Sequence, residues 1–265
     1  MDTIMGSDKT AIVTGAYGAI GKAIARQMSE RGYSVVLAGR KENKLQSVAE
    51  EIRKQTGNEN VRFEVVDLSL RDSIRKMTER WKGPLHVLIN NAVTAPLKRT
   101  ETEEGVEVQF ATNVLGYFRM IRSFTEFLKQ AGEARIVNVA SYWAGDLDLN
   151  DPEFRSRNYN NDTAYRQSKQ ANRMLTVAFA ERLKVYGITV NSCHPGDVNS
   201  KVSNCLGYGG HETPDEGAAT PVWLATDPSL RKITGKYFAN KSEAYCQFSQ
   251  DVKGINKLIS VCERY

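Results

Sequence analysis

Thr10-Ala11-Ile12-Val13-Thr14-Gly15-Ala16-Tyr17-Gly18-Ala19-Ile20-Gly21 is the stretch that decides the fold, read together with the helix formers from Lys22 to Arg31. Thr10 to Thr14 is a short β-branched run of the kind that makes a buried strand. The order strand, glycine turn, helix is the one a dinucleotide needs. Glycines let backbone approach a pyrophosphate, and the unsatisfied N–H groups of a helix N-terminus receive its charge. The spacing reads GxxGxxG where the usual fingerprint is GxGxxG, so the same residues also fit an ordinary strand-to-helix turn.

Moving outward, Tyr33 to Ala38 (YSVVLA) is a second buried strand that closes on Gly39-Arg40. About twenty residues past such a turn an acid would take the ribose 2′-OH of NAD, whereas an arginine without that acid accommodates a 2′-phosphate. Here Arg40 and Lys41 precede any acid, which points to NADP(H); a solvated basic cap at a helix start is the other reading. Leu45, Val48 and Ile52 recur at helical spacing, so Lys44 to Gln55 is expected to cover the sheet. Val61 to Val66 gives a third strand ending in Asp67-Leu68. Asp67 could hold an adenine amino group or cap a helix from Ser69 onward, and spacing does not separate the two.

Leu85 to Ile89 (LHVLI) is too apolar to have a wet face, which puts it in the middle of a parallel sheet. It runs into Asn90-Asn91-Ala92-Val93, whose amides can brace backbone or line a cleft. Val108 to Gln130 is expected as one long helix holding Asn113 on an apolar turn, where a buried amide needs partners. Ala134 to Ala140 (ARIVNVA) delivers Ser141 at its carboxyl end, where open α/β sheets place ligands.

Tyr142 to Thr163 is loop-like, and Ala164-Tyr165-Arg166-Gln167-Ser168-Lys169 starts a long helix ending near Tyr186. Tyr165 and Lys169 share a helix face at i, i+4, so an ammonium can lie beside a phenol. A free phenol titrates at about 10, and a neighbouring cation moves it toward working pH. The same pair is also common on solvated helix faces. Gly187 to Cys193 is a sixth strand stopped by His194-Pro195-Gly196. Val198 to Gly210, with Gly207-Tyr208-Gly209-Gly210, has the composition of a lid. Pro214 to Ala225 resumes as helix, and Lys236-Tyr237-Phe238 is expected as the last strand. Strands alternating with helices in this way predict an α/β fold with a Rossmann-type, doubly wound parallel sheet.

With 265 residues, 41% hydrophobic and 25% charged, the chain can bury the core of one large α/β domain. The net charge of +5 is spread along the sequence rather than gathered in a tail, so it says little about nucleic acid, and no nucleic-acid partner is expected. Cys193, Cys205, Cys246 and Cys262 lack metal-ligand spacing, so no metal and a reduced, cytoplasmic compartment are expected. The first strand begins just after Met1 to Lys9, leaving no room for a leader or anchor, and no window reads as a membrane span.

Taken together, TGAYGAIG, NNA, Asn113, Ser141, YRQSK and HPG resemble the short-chain dehydrogenase/reductase family across nearly the whole chain. The long interval from Ser141 to Tyr165, Ser168 and Asn172 in YRQSKQAN, His194, PDEGAAT at 214–220 and GKYF at 235–238 resemble its retinol dehydrogenase-like branch. The resemblance implies one NAD(P)-binding domain over 1–265, with a cofactor half at about 10–140 and a catalytic and substrate half at about 141–265. It implies NADP(H)-dependent interconversion of a carbonyl and an alcohol, in which Tyr165 passes the proton and Ser141 holds the same oxygen. Lys169 would bind the nicotinamide ribose and depress the Tyr165 pKa, and Asn113 would steady a water-linked relay to Lys169. Gly15, Tyr17, Gly18, Ala19, Ile20 and Gly21 would meet the pyrophosphate side, with Arg40 on the 2′-phosphate and Asp67 and Leu68 at adenine. Asn90 and Ala92 would line the adenosine side, and Pro195, Gly196 and Val198 the nicotinamide. Ser141, Tyr142, Trp143 and Tyr165, bordered by Leu206 and Tyr208, would meet an apolar aldehyde, ketone or retinoid-like substrate. The resemblance allows a homodimer through the helices at about 108–130 and 164–186, a surface that the enlarged 142–163 segment could instead cover. The contrasting reading is a cofactor-sensing or regulatory protein that binds NADP on the same fold without turnover.

Overall fold

The computed structural model describes residues 9–265. The reading that no leader precedes the first strand concerns residues that lie largely outside these. One eight-stranded sheet runs through the protein in the order β3-β2-β1-β4-β5-β6-β7-β8. Its strands are β1 (Thr10–Thr14), β2 (Ser34–Gly39), β3 (Val61–Val65), β4 (Val87–Asn90), β5 (Ala134–Val139), β6 (Ile188–Cys193), β7 (Tyr237–Ala239) and β8 (Ser242–Ala244). All pair in parallel except β8, which turns back antiparallel on β7. β1 lies beside both β2 and β4, with Ile12 opposite Val36 and Leu88, so the chain reverses its direction of winding at β1. Ligands of open α/β sheets bind at such a switch point, past the carboxyl ends of the strands.

Alternation along the strands builds a core on each face. Ala11, Val13, Val35 and Leu37 face α1 (Ala19–Glu30), α2 (Glu42–Thr56) and α7 (Pro214–Thr226). Ile12, Val36, Leu88 and Ile136 face α3 (Arg71–Arg80), α4 (Gly116–Gln130), α5 (Asn161–Leu183) and α8 (Val252–Cys262). Because both faces are covered, the middle of the inner strands is apolar on both sides, as at Val87, Leu88 and Ile89 of β4, while Asn90, Asn138 and Asn191 are the buried polar exceptions.

The expected elements are present with shifted ends, and three differences have physical causes. The helix after the glycine turn starts at Ala19 rather than Lys22, because Gly18 already accepts from Lys22 N at 2.9 Å. The helix expected over 108–130 is two pieces: a π-helical turn at Phe110–Leu115, which contains Asn113, and then α4. β8 and α8 lie beyond the last expected strand; α8 buries Ile255, Leu258 and Ile259 against the face that holds α5.

Candidate active site

The glycine turn is shaped by what its glycines must avoid. Gly15 has φ +66° and donates to Ala38 O at 2.8 Å, and a Cβ there would stand 2.8 Å from Ala92 Cα. A Cβ on Gly21 would stand 2.3 Å from Gly15 O, so α1 crosses the turn at a distance only glycine permits. Gly18 caps α1 without a side-chain hydrogen bond. The first N–H groups of α1, at Ala19, Ile20 and Gly21, therefore face a cavity of about 1070 Å³ that these residues line. Uncapped donors, a positive helix end and close-set glycines make a cradle that fits the pyrophosphate of a dinucleotide.

The cavity runs from this cradle in two directions. On one side it is lined by Tyr17, Arg40, Lys41, Lys44, Asp67, Leu68 and Ala92. Arg40 Nη1 lies 3.7 Å from Asp67 Oδ2, and Lys44 sits over the Tyr17 ring at 5.9 Å. Asp67 Oδ1 accepts from Ser69 N and Oγ at 2.9 and 2.6 Å, so it shapes the turn; α3 itself is capped at Leu70 with no side-chain bond. Asn90 is a correction: fully buried below the cavity, it donates to Asn138 Oδ1 at 3.0 Å and does not line the cleft. Its neighbour Asn91 does, braced on Thr14 by bonds of 2.8 and 2.9 Å. One residue of strand alternation separates the two, and the tandem Asn-Asn left it unresolved.

On the other side Ser141, Tyr165 and Lys169 line the floor. The Ser141 hydroxyl lies beside the Tyr165 phenol and accepts from Trp143 N at 3.0 Å. Lys169 Nζ donates to Val139 O at 2.9 Å and stands 5.5 Å from the Tyr165 ring centroid. The pairing of cation and phenol is present, but its expected electrostatic effect is not. Burial pushes the phenol up to about 12, with the Ser141 hydrogen bond acting in the opposite direction. Burial also pulls the Lys169 ammonium down to about 7. Desolvation is the largest cause for each group, and among the described residues no carboxylate forms an ion pair with Lys169 to offset it.

Asn113 is fully buried and off the cavity lining, exchanging bonds of 2.9 Å with Thr94 N and O and donating to Ser168 Oγ at 3.2 Å. Ser168 Oγ in turn donates to the Tyr165 carbonyl at 2.7 Å. The Asn113 side chain thus braces the first turn of α5.

Toward the mouth, Pro195, Gly196 and Val198 line the wall, Gly196 with φ +96°. Residues 198–210, expected as a lid, contain a short helix, α6 (Lys201–Cys205), opened by a Ser200 and Ser203 capping box. Tyr208 Oη and Trp143 Nε1 donate to the same oxygen, Asp162 Oδ1, at 2.8 and 2.9 Å. Tyr142 meets the His194 ring edge-on at 4.6 Å, and Trp143 meets Tyr208 at 5.4 Å. His194, half-buried and pushed down by desolvation to about 4, lines the cavity as a neutral imidazole. The sequence reading missed Asp162, His194 as a lining residue, Lys44 and Leu97; His194-Pro195-Gly196 ending a strand was the one available signal for them.

Comparison with known proteins agrees with this geometry. Residues 9–207 match the family model described as short chain dehydrogenase. Human polyprenol dehydrogenase is 34% identical over 258 residues, covering 89% of this chain and 78% of that protein. Human retinol dehydrogenase 13 is 33% identical over 250 residues, covering 87% and 76%. A crystal structure from Beutenbergia cavernae, provisionally described as an NAD(P)-dependent gluconate 5-dehydrogenase with bound NADP at low occupancy, superposes with a TM-score of 0.72 at 26% identity. That superposition covers 89% of this chain and 96% of the other.

Proposed function

The chain belongs to the short chain dehydrogenase family, in its retinol dehydrogenase-like branch, and from that premise we propose that it is an NADP(H)-dependent oxidoreductase interconverting a carbonyl and an alcohol. The observation that carries the reading is that Ser141, Tyr165 and Lys169 share one cavity with the glycine cradle and Arg40. A bound nicotinamide supplies or takes the hydride. The chain holds the reacting oxygen between the Ser141 and Tyr165 hydroxyls, and the proton passes from Tyr165 Oη to that oxygen in reduction. A phenol held up near 12 is protonated at neutral pH and ready to donate. In oxidation Tyr165 must accept, and a charged Lys169 is the group on this chain that favours its doing so.

Arg40, Lys41 and Lys44 form a cationic rim at the end of β2, suited to a 2′-phosphate. NADP in the Beutenbergia structure is in keeping with that choice. The outer cavity, with Val93, Pro96, Leu97, Val202 and Leu206 beside Tyr142, Trp143 and Tyr208, suits an apolar carbonyl compound. Two relatives are named for apolar alcohols, polyprenol and retinol. We place both halves, 10–140 and 141–265, in one domain working in the cytoplasm; the four free cysteines fit that compartment.

The test is loss of NADPH absorbance with para-nitrobenzaldehyde, decanal, all-trans-retinal and a decalone. Turnover of one or more of these is expected. Tight NADPH binding with no consumption across the panel would overturn the reading and favour a cofactor sensor.

A further inference from the structure

Helix α5 presents a second buried cation one turn beyond Lys169. Arg173, 6% exposed, donates from Nη2 to the Ser141 carbonyl in a short hydrogen bond. Its guanidinium lies over the Tyr237 ring of β7, 3.6 Å from the centroid, and 5.7 Å from Phe248. Its Nε has no hydrogen-bond partner, and among the described residues no carboxylate forms an ion pair with it. A guanidinium out of water without a counter-charge is costly, and here only a carbonyl dipole and an aromatic face offset that cost. Arginine at this place gives up stability unless the bond to Ser141 does something.

The spacing shows what it does. Residues four apart on a helix rise about 6 Å, close to the two-residue repeat of about 6.6 Å along extended chain. Lys169 and Arg173 therefore grip alternate carbonyls at and just past the end of β5, those of Val139 and Ser141. Tyr117 Oη adds a weaker bond to Val139 O at 3.3 Å. Beyond β5 the chain has no ladder partner for Ser141, so these side-chain donors fix the backbone from which its hydroxyl reaches Tyr165.

We propose that Arg173 is a positioning residue that holds Ser141 by its backbone carbonyl so that the Ser141 hydroxyl meets the reacting oxygen. The proposal rests on the Ser141 and Tyr165 roles given above, and its test separates the two. Arg173→Met is compared with wild type, Ser141→Ala and the double variant, using the carbonyl compound turned over fastest in the panel. Arg173→Met is expected to lower kcat about 10- to 100-fold, the cost of misplacing a reacting group by about 1 Å, with KM within about twofold. In the Ser141→Ala background it should cost less than about threefold, because the hydroxyl it places is gone. Arg173→Lys, which keeps a donor but loses the planar fork, should recover part of kcat. Hydrogen exchange without cofactor gives a readout independent of turnover: amides of residues 141–143 should exchange faster in Arg173→Met, with those of β1 unchanged. Equal fold-losses in both backgrounds, or unchanged exchange at 141–143, would overturn the proposal. Should Arg173→Met not fold, Arg173→Lys is carried through the same cycle and judged by the same non-additivity. A wild-type protein that turns nothing over, with exchange at 141–143 responding as expected, would count against the proposed function and not against the grip on Ser141.

Discussion

Burial at the cavity floor sets Lys169 and Tyr165 against their ordinary titrations. Lys169 falls from 10.5 to about 7, so between those values the unfolded chain binds a proton that the folded protein does not. Stability therefore rises with pH across that window, and the penalty of burying the ammonium is fully present below about 7. Tyr165, raised from 10.0 to about 12, acts the other way, losing stability only above about 10. Unfolding free energies of wild type and Lys169→Met from pH 6 to 10 should show the wild type gaining on the variant as pH rises; parallel curves would mean that Lys169 is hydrated. At Arg40, half-exposed and 3.7 Å from Asp67, charge reversal tests the coenzyme preference. Arg40→Asp should weaken NADPH at least about tenfold more than NADH in a direct titration, since one charge-assisted contact to the 2′-phosphate becomes a repulsion; equal weakening removes the 2′-phosphate role. At this scale the sequence was legible where residue type and chemistry coincide, as at Tyr165, Lys169 and Ser141. It was not legible where one position of strand phase decides, as at Asn90 and Asn91, or where a buried amide chooses among partners from distant segments, as Asn113 does with Thr94 and Ser168.

Elements were easiest to read where apolar period and turn chemistry agree, as in β1, Gly15 to Gly21 and α1. The π-helical turn at Phe110–Leu115 keeps the apolar spacing of a helix and differs only in its hydrogen bonds, which no pattern of side chains displays. The 198–210 segment was legible as composition, through Gly207, Gly209 and Gly210, but its bond to α5 was not, because Asp162 and Tyr208 lie 46 residues apart. That bond is solvent-exposed and joins the lid to the start of α5. A hydrogen bond to a carboxylate contributes on the order of 1 kcal/mol, so Tyr208→Phe should raise KM for the carbonyl substrate about fivefold while leaving the thermal midpoint in place. An unchanged KM would mean that the lid does not close on substrate through this contact.

At the scale of the molecule, the β1 to β4 crossing follows from strand order, and strand order follows from apolar runs separated by covering helices. Less visible was the C-terminal closure. α8 packs on α5, and Tyr265 reaches Glu153 at 2.5 Å, tying the end of the chain to the 142–160 segment. The part of α5 under α8, which a dimer through 164–186 would use, is thus occupied from within the chain. The Glu153 and Tyr265 contact joins residues 112 positions apart, and local periodicity carries no trace of it. Ser141, Tyr165 and Lys169 line the floor of the cavity, and the chemistry of that floor is what the proposed function depends on. The most direct test uses NADPH carrying deuterium at the transferable position of its nicotinamide, with the product alcohol weighed by mass spectrometry for wild type and Tyr165→Phe. Deuterium on the carbinol carbon is expected in the wild-type product, with turnover at least about 100-fold lower in Tyr165→Phe and NADPH still bound. Tyr165→Phe reducing the same compound at the wild-type rate would contradict the account.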